Sequence, residues 1–197
     1  MNLPNKLSLL RIFLVPIFVV TFYLSWEFAR LISVAIFVIA TLTDFLDGYI
    51  ARKYNLVTDL GKLLDPIADK LLVTSALFCV VSQASTQTFS IVLAVCSTII
   101  VGRELLISAI RQIAASKGIV IAANVFGKVK TILQDVALPL VIVLQCPAFV
   151  NLLTSSNMYN VVFYVTAGLF ILATLMTIVS GVIYVIQNKK VFDGDSK

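Results

Sequence analysis

Apolar residues gather into long runs along this chain, and polar residues are confined to the gaps between them and to a few positions inside. Six segments, approximately 8–27, 30–51, 61–82, 88–114, 126–149 and 158–187, approach or exceed the roughly 20 residues a helix needs to cross a hydrocarbon core about 30 Å thick. They predict an all-α polytopic membrane protein with six transmembrane helices, built as a single domain over residues 1–197. The last segment is longer than a span requires and is expected to tilt or to emerge from the bilayer. Ahead of the first segment, NLPNKLSLLR sets Leu3, Leu7 and Leu10 at helical spacing beside Lys6, which predicts a short interfacial helix in the headgroup layer. The run IFLVPIFVVTFYLSW follows a basic start, as in a signal peptide, but ends without a small-residue cleavage pattern, so a retained helix is expected. The tail NKKVFDGDSK is polar and expected to fray.

Charge orients this pattern. The connection SQASTQT and the region 146–157 carry no charge, whereas the others hold Arg52 and Lys53, then Arg111, Lys117, Lys128 and Lys130, and finally Lys189, Lys190 and Lys197. With the N-terminus inside, Arg30 alone of the 15 Lys and Arg residues lies near an outer loop, so both termini are expected in the cytosol. Composition agrees with a membrane protein: 60% of residues are hydrophobic and only 13% charged, against about a quarter in soluble domains. Mean hydropathy is +1.04. The net charge of +5 follows the membrane pattern and is not a nucleic-acid footprint. The absence of histidine excludes Ser-His and Cys-His catalysis and most zinc sites. Cys79, Cys96 and Cys146 stand singly and read as buried small hydrophobes.

Against this background the stretch DFLDGYIARKYNLVTDLGKLLDPIADK is anomalous, because four carboxylates touch apolar runs. Asp44 and Asp47 are spaced i, i+3 near the end of the second segment, and Asp65 and Asp69 are spaced i, i+4 near the start of the third. Each pair therefore shares one helix face. Pro66 is compatible with a first turn, which Thr58 or Asp59 could cap. Two antiparallel helices joined by a short loop would aim all four carboxylates at one point, where they cannot all ionise unaided. Divalent metal resolves the repulsion, two ions suit the charge better than one, and an all-oxygen set selects Mg²⁺ or Mn²⁺. Paired ions are a device for in-line phosphoryl displacement. Gly48 and Gly61 would let a substrate approach the backbone, while Arg52 and Lys62 supply positive charge. Interfacial charges, helix caps and an ion-translocating pathway are the competing readings. Clustering near one face disfavours the last.

The stretch reads D-x₂-D-G-x₂-A-R-x₈-G-x₃-D-x₃-D, carried by Asp44, Asp47, Gly48, Ala51, Arg52, Gly61, Asp65 and Asp69. This resembles the signature of the CDP-alcohol phosphotransferases. The resemblance implies a membrane enzyme that moves a phosphatidyl group from a CDP-linked donor, CDP-diacylglycerol, to an alcohol with release of CMP, and it implies a homodimer. It further implies that Asp44, Asp47 and Asp65 bind metal, while Asp69 binds metal and accepts the proton of the attacking hydroxyl. Gly48, Arg52 and Thr58 match positions that hold the CDP part of the donor, with Ala51 and Gly61 in the same motif. Asn5 matches an N-terminal element that reaches the nucleotide site.

The acceptor is read from basic residues farther on. Arg103 and Arg111 lie eight apart in VGRELLISAIRQIAASKG, within about 80° of one another around a helix. Lys128 and Lys130 in GKVKTILQD join them as candidates to grip a second phosphate. The alternatives are snorkelling lysines, an Arg103–Glu104 ion pair and Asp135 paired with a basic neighbour. Asn5, Pro4, Arg11, Gly102, Arg103, Glu104, Gly127, Lys128, Lys130, Thr131 and Gln134 also resemble bacterial phosphatidylglycerophosphate synthases, with serine at Ser8 where threonine is commoner. That likeness implies glycerol 3-phosphate as acceptor and a bacterial inner-membrane location; serine or inositol phosphate is the alternative acceptor. A divalent-cation transporter is the alternative of another class.

Overall fold

A computed structural model describes the backbone at 2–53, 59–119, 121 and 125–189, with side chains there except at 3, 4, 45, 47–53, 59, 60, 62 and 63. Seven helices account for it: α1 (Leu3–Tyr23), α2 (Ala29–Lys53), α3 (Asp59–Ser82), α4 (Gln87–Ser116), α5 (Val125–Leu144), α6 (Pro147–Ser155) and α7 (Tyr159–Gln187). The described residues are all-helical. Among them Asn5–Tyr23, Gln87–Ser116 and Tyr159–Gln187 are each long and apolar enough to cross a membrane. α5 and α6 meet the same length and hydropathy test only as a pair, bent by 80°, which makes a fourth span if the pair is counted as one.

The expected helices are present with ends shifted by a few residues, but three expectations need correction. NLPNKLSLLR is not a separate interfacial helix: it forms the first turns of α1, which continues without a break through Pro16. Its informative face is polar, because Asn5, Ser8 and Arg11 are buried. The expected fifth segment does not run straight to 149. Cys146 leaves the helical region (φ −78°, ψ 120°) and Pro147 opens α6, where a missing N–H costs nothing. Pro66 lies well inside α3, beyond the first turn, where its ring removes one backbone hydrogen bond.

Burial is inverted relative to a soluble bundle. Phe13, Ile17 and Val20 of α1 and Leu172, Leu175, Ile178 and Val182 of α7 face outward, as lipid contact requires. The inward face of α7 is instead Thr166, Phe170, Ala173, Thr174, Thr177, Ser180, Gly181 and Tyr184. Small residues let helices approach closely where lipid provides no hydrophobic drive. Their hydroxyls stay satisfied locally, Thr174 donating to Phe170 O at 2.9 Å and Thr177 to Ala173 O at 2.7 Å. α7 packs chiefly on α5 and then α4, while α1 lies against α2 and α3. Phe18, Phe22, Phe37, Leu72, Leu93 and Phe170 fill the core between these groups. Cys79, Cys96 and Cys146 are free and buried, as expected.

Helix ends are fixed locally. Thr86 caps α4 by accepting from Phe89 N at 3.2 Å. α4 closes on Gly118 at φ 72°, with Ile119 N on Ala114 O at 2.8 Å and Gly118 N on Ala115 O at 3.0 Å. That pairing needs a left-handed residue, and glycine takes it without a Cβ penalty. At the far end of the bundle, Arg30 ties three connections together. It donates to Gln145 O and, at 2.9 Å, to Gln83 Oε1, and stacks 5.5 Å from the Phe22 ring centroid. Gln145 donates to Val80 O at 2.7 Å, and Cys146 Sγ to Glu27 O at 3.3 Å.

Candidate active site

α2 and α3 each bring an aspartate pair to one end of the bundle, and α1 lies against both helices there. Ser8 Oγ donates to Asp65 Oδ1 at 2.5 Å, and Arg11 Nη1 donates to Asp44 Oδ1. Arg11 is almost wholly enclosed, 1% exposed, while the Asp44 side chain is 43% exposed. The polar face of α1 thus orients one carboxylate on each neighbouring helix.

Asp44, Asp65 and Asp69 line a cavity of about 400 Å³, together with Lys70, Arg103, Ser108 and Arg111. Three of the carboxylates expected to hold metal and the two arginines expected to hold an acceptor phosphate therefore face one space. A smaller cavity of about 60 Å³ shares Asp69, Lys70 and Glu104 with it and reaches Lys130, Gln134 and Asp135. Asp69 borders both. The donor set is all oxygen and suits a hard divalent ion. Among the described residues no three Asp, Glu, Cys or His groups are close enough to hold an ion by themselves. Asp47 belongs to the expected set, and its side chain lies outside the described residues.

On the opposite wall Glu104 gathers two cations, accepting from Lys130 Nζ at 2.6 Å and from Arg103 Nη1 at 3.0 Å. The ion pair weighed for Arg103 is thus present, and Arg103 lines the cavity as well. Lys130 goes to Glu104, not to Asp135. Lys128 is exposed and stands apart from the residues that line the larger cavity. Two residues of helix turn a side chain through about 200°, so Lys128 and Lys130 point to opposite sides of α5.

Of the positions matched to the CDP part of the donor, Asn5 is buried on the α1 face that carries Ser8 and Arg11, and Gly61 is buried in α3. Only the backbone is described at Gly48, Ala51, Arg52 and Lys62, and all of Thr58 lies outside the described residues. Sequence reasoning gave no role to Ser8, Arg11 or Lys70, whose ammonium donates to Ser108 Oγ. The i, i+3, i+6 spacing of Asn5, Ser8 and Arg11 was the available signal for the first two.

The model of the CDP-alcohol phosphatidyltransferase family matches residues 1–186. The CDP-diacylglycerol–glycerol-3-phosphate 3-phosphatidyltransferase of Rickettsia bellii is 37% identical over 193 residues, covering 97% of each chain. The enzyme of the same name from Bacillus subtilis is 40% identical over 158 residues, 74% of this chain and 79% of its own. CDP-diacylglycerol–glycerol-3-phosphate 3-phosphatidyltransferase 2 of Arabidopsis thaliana is 39% identical over 178 residues, 86% of this chain and 75% of its own.

Proposed function

The chain belongs to the CDP-alcohol phosphatidyltransferase family, and from that premise we propose that it transfers the phosphatidyl group of CDP-diacylglycerol to glycerol 3-phosphate. The products are phosphatidylglycerophosphate and CMP. One observation carries the reading beyond the relatives' names: Asp44, Asp65 and Asp69 share a cavity with Arg103 and Arg111. Serine offers a single carboxylate and no phosphate, so two arginines on one wall suit a phosphate-bearing acceptor better.

In the proposed reaction an acceptor hydroxyl oxygen bonds to the phosphorus that bears diacylglycerol. The bond from that phosphorus to the bridging oxygen breaks, and CMP leaves with the electron pair. Asp69 takes the hydroxyl proton, for which it must come within about 2.6–3.2 Å of the oxygen. Asp44, Asp47, Asp65 and Asp69 would hold Mg²⁺, two ions being the better charge match and Mn²⁺ the substitute. When bound, such ions offset the charge of the diphosphate and favour CMP as leaving group. Asn5, Gly48, Ala51, Arg52, Thr58 and Gly61 serve the nucleotide end of the donor, and Arg103, Arg111, Lys128 and Lys130 the acceptor phosphate. Positioning and preorganised charge carry most of the rate, because phosphoryl transfer asks little covalent chemistry of a protein.

The reading includes one domain of six spans in a bacterial inner membrane, with both termini and the site cytosolic, and a homodimer. α2 and α3, helices of 25 and 24 residues, complete the six with the three straight candidates and the bent pair. Purified protein given CDP-diacylglycerol and one acceptor at a time tests the chemistry. CMP is expected with glycerol 3-phosphate, to be lost on chelation and restored by Mg²⁺. Reaction with serine but not glycerol 3-phosphate overturns the acceptor, and metal flux into proteoliposomes without CMP release under any acceptor overturns the enzyme.

A further inference from the structure

We infer that α7 is the positioning element of the acceptor-phosphate site, with Ser180, Gly181 and Tyr184 holding Arg103 and Arg111 of α4 on the wall of one cavity. The inference rests on the reading that these two arginines receive the acceptor's phosphate.

Arg103 is held on two sides. Its Nη1 donates to Glu104 at 3.0 Å and its Nη2 to Ser180 Oγ at 3.2 Å. The Ser180 hydroxyl spends its own proton on Thr177 O at 3.0 Å, which leaves its lone pairs for the guanidinium. A Cβ at Gly181 would stand 3.1 Å from Arg103 Cγ, so the side chain lies in a notch that glycine leaves open. Gly127 of α5 approaches the same guanidinium, with a Cβ position 3.7 Å from Nη2.

Arg111 is held by a different device on the same helix. Its guanidinium carbon lies 5.5 Å from the centroid of the Tyr184 ring, and its Nε donates to the Tyr184 hydroxyl at 3.2 Å. Tyr184 is 1% exposed and packs against Ile107 and Ile110, so the ring cannot follow a displaced arginine. An arginine over an aromatic face gains about 0.5–1 kcal/mol when exposed and more when desolvated.

Spacing gives this arrangement its consequence. Arg103 and Arg111 are eight residues apart, about 12 Å along α4, whereas Ser180 and Tyr184 are four apart, about 6 Å along α7. The two anchors thus lie closer together along α7 than the two arginine stems do along α4. Each guanidinium has five N–H donors, and these contacts use only two on Arg103 and one on Arg111, leaving donors for a ligand in the cavity both residues line. Without its anchors each arginine would sample several rotamers, and ordering them would fall to the substrate.

The test is a pair of double-mutant cycles read as separate KM values for the two substrates. Gly181→Ala and Tyr184→Leu are each expected to raise KM for glycerol 3-phosphate about five- to tenfold, the scale of one lost charged contact. KM for CDP-diacylglycerol is expected to hold, while Tyr184→Leu, which truncates a buried ring, also lowers the unfolding temperature, so the split between the two KM values is the readout. Tyr184→Phe keeps the ring face and loses only the hydroxyl, so its rise should be smaller. Gly181→Ala should add nothing in an Arg103→Ala background, nor Tyr184→Leu in Arg111→Ala. Additive losses, or equal rises in both KM values, show α7 supporting the fold generally and overturn the inference alone. An unchanged acceptor KM in both arginine single variants overturns the acceptor-site reading beneath it.

Discussion

Asp44 and Asp69 illustrate two ways in which a carboxylate is kept at the edge of an apolar bundle. Asp44 is held by Arg11, itself 1% exposed, so Arg11→Ala leaves its charge facing Asp65 and Asp69 across one cavity. Breaking a fully buried pair costs about 3–5 kcal/mol, but Asp44 is 43% exposed and solvent discounts the effect to roughly 1–3 kcal/mol. Arg11→Ala should therefore unfold at a temperature several degrees lower in a detergent melt, and an unchanged melting curve would remove the pair from the account. Asp69 borders both cavities and is the proposed base. Asp69→Asn should lower turnover by about 10²–10⁴ while KM for CDP-diacylglycerol stays within about twofold. Turnover within tenfold of the parent would transfer the proton elsewhere.

Among the elements, α4 carries Arg103, Glu104 and Arg111, and its last turn is fixed by Gly118. At φ 72° an added Cβ is strained whatever the space around it. Gly118→Ala should cost about 1 kcal/mol in reversible unfolding, with neither KM changed; no loss would mean that the closing turn re-forms without glycine. Element by element, the sequence was legible where periodicity and length decide. Apolar runs placed α2, α3, α4 and α7 within a few residues, and i, i+3 and i, i+4 spacing found the aspartate faces. It was illegible where the deciding contact is tertiary. Leu3, Leu7 and Leu10 suggested an interfacial helix, yet the buried face is Asn5, Ser8 and Arg11, whose partners lie 57 and 33 residues away for the last two. The break at Cys146 carries no charge and was hidden in an apolar run; Pro147 was its only local mark. Nothing local in α7 marks Ser180 or Tyr184, because a hydroxyl on an apolar helix reads as ordinary small-residue packing until α4 is laid beside it.

For the molecule as a whole, the proposed topology puts the Arg103 end in the cytosol and the Arg30 end outside, which is open to test. All three native cysteines are buried, so single reporters are readable against a low background. Ser85→Cys should react with an impermeant thiol reagent added outside intact cells, and Ser116→Cys only after the membrane is opened. The reverse pattern would invert the topology. The contacts of Arg30 also set a clock on how the protein is made. Its partner Gln145 lies 115 residues later, and Cys146 lies 119 residues after Glu27, to which its thiol donates. At about 5–20 residues per second, the ribosome delivers that partner some 6–23 s after Arg30 itself. Until then Arg30 has only Gln83 and the Phe22 ring at that end of the bundle, and its contact with the bent α5–α6 segment is still to form. An oxidative cross-link between Glu27→Cys and native Cys146 would time that closure in pulse-labelled membranes. It should form late in the parent and fail in Arg30→Ala; equal yield in both would mean the bundle closes without its arginine.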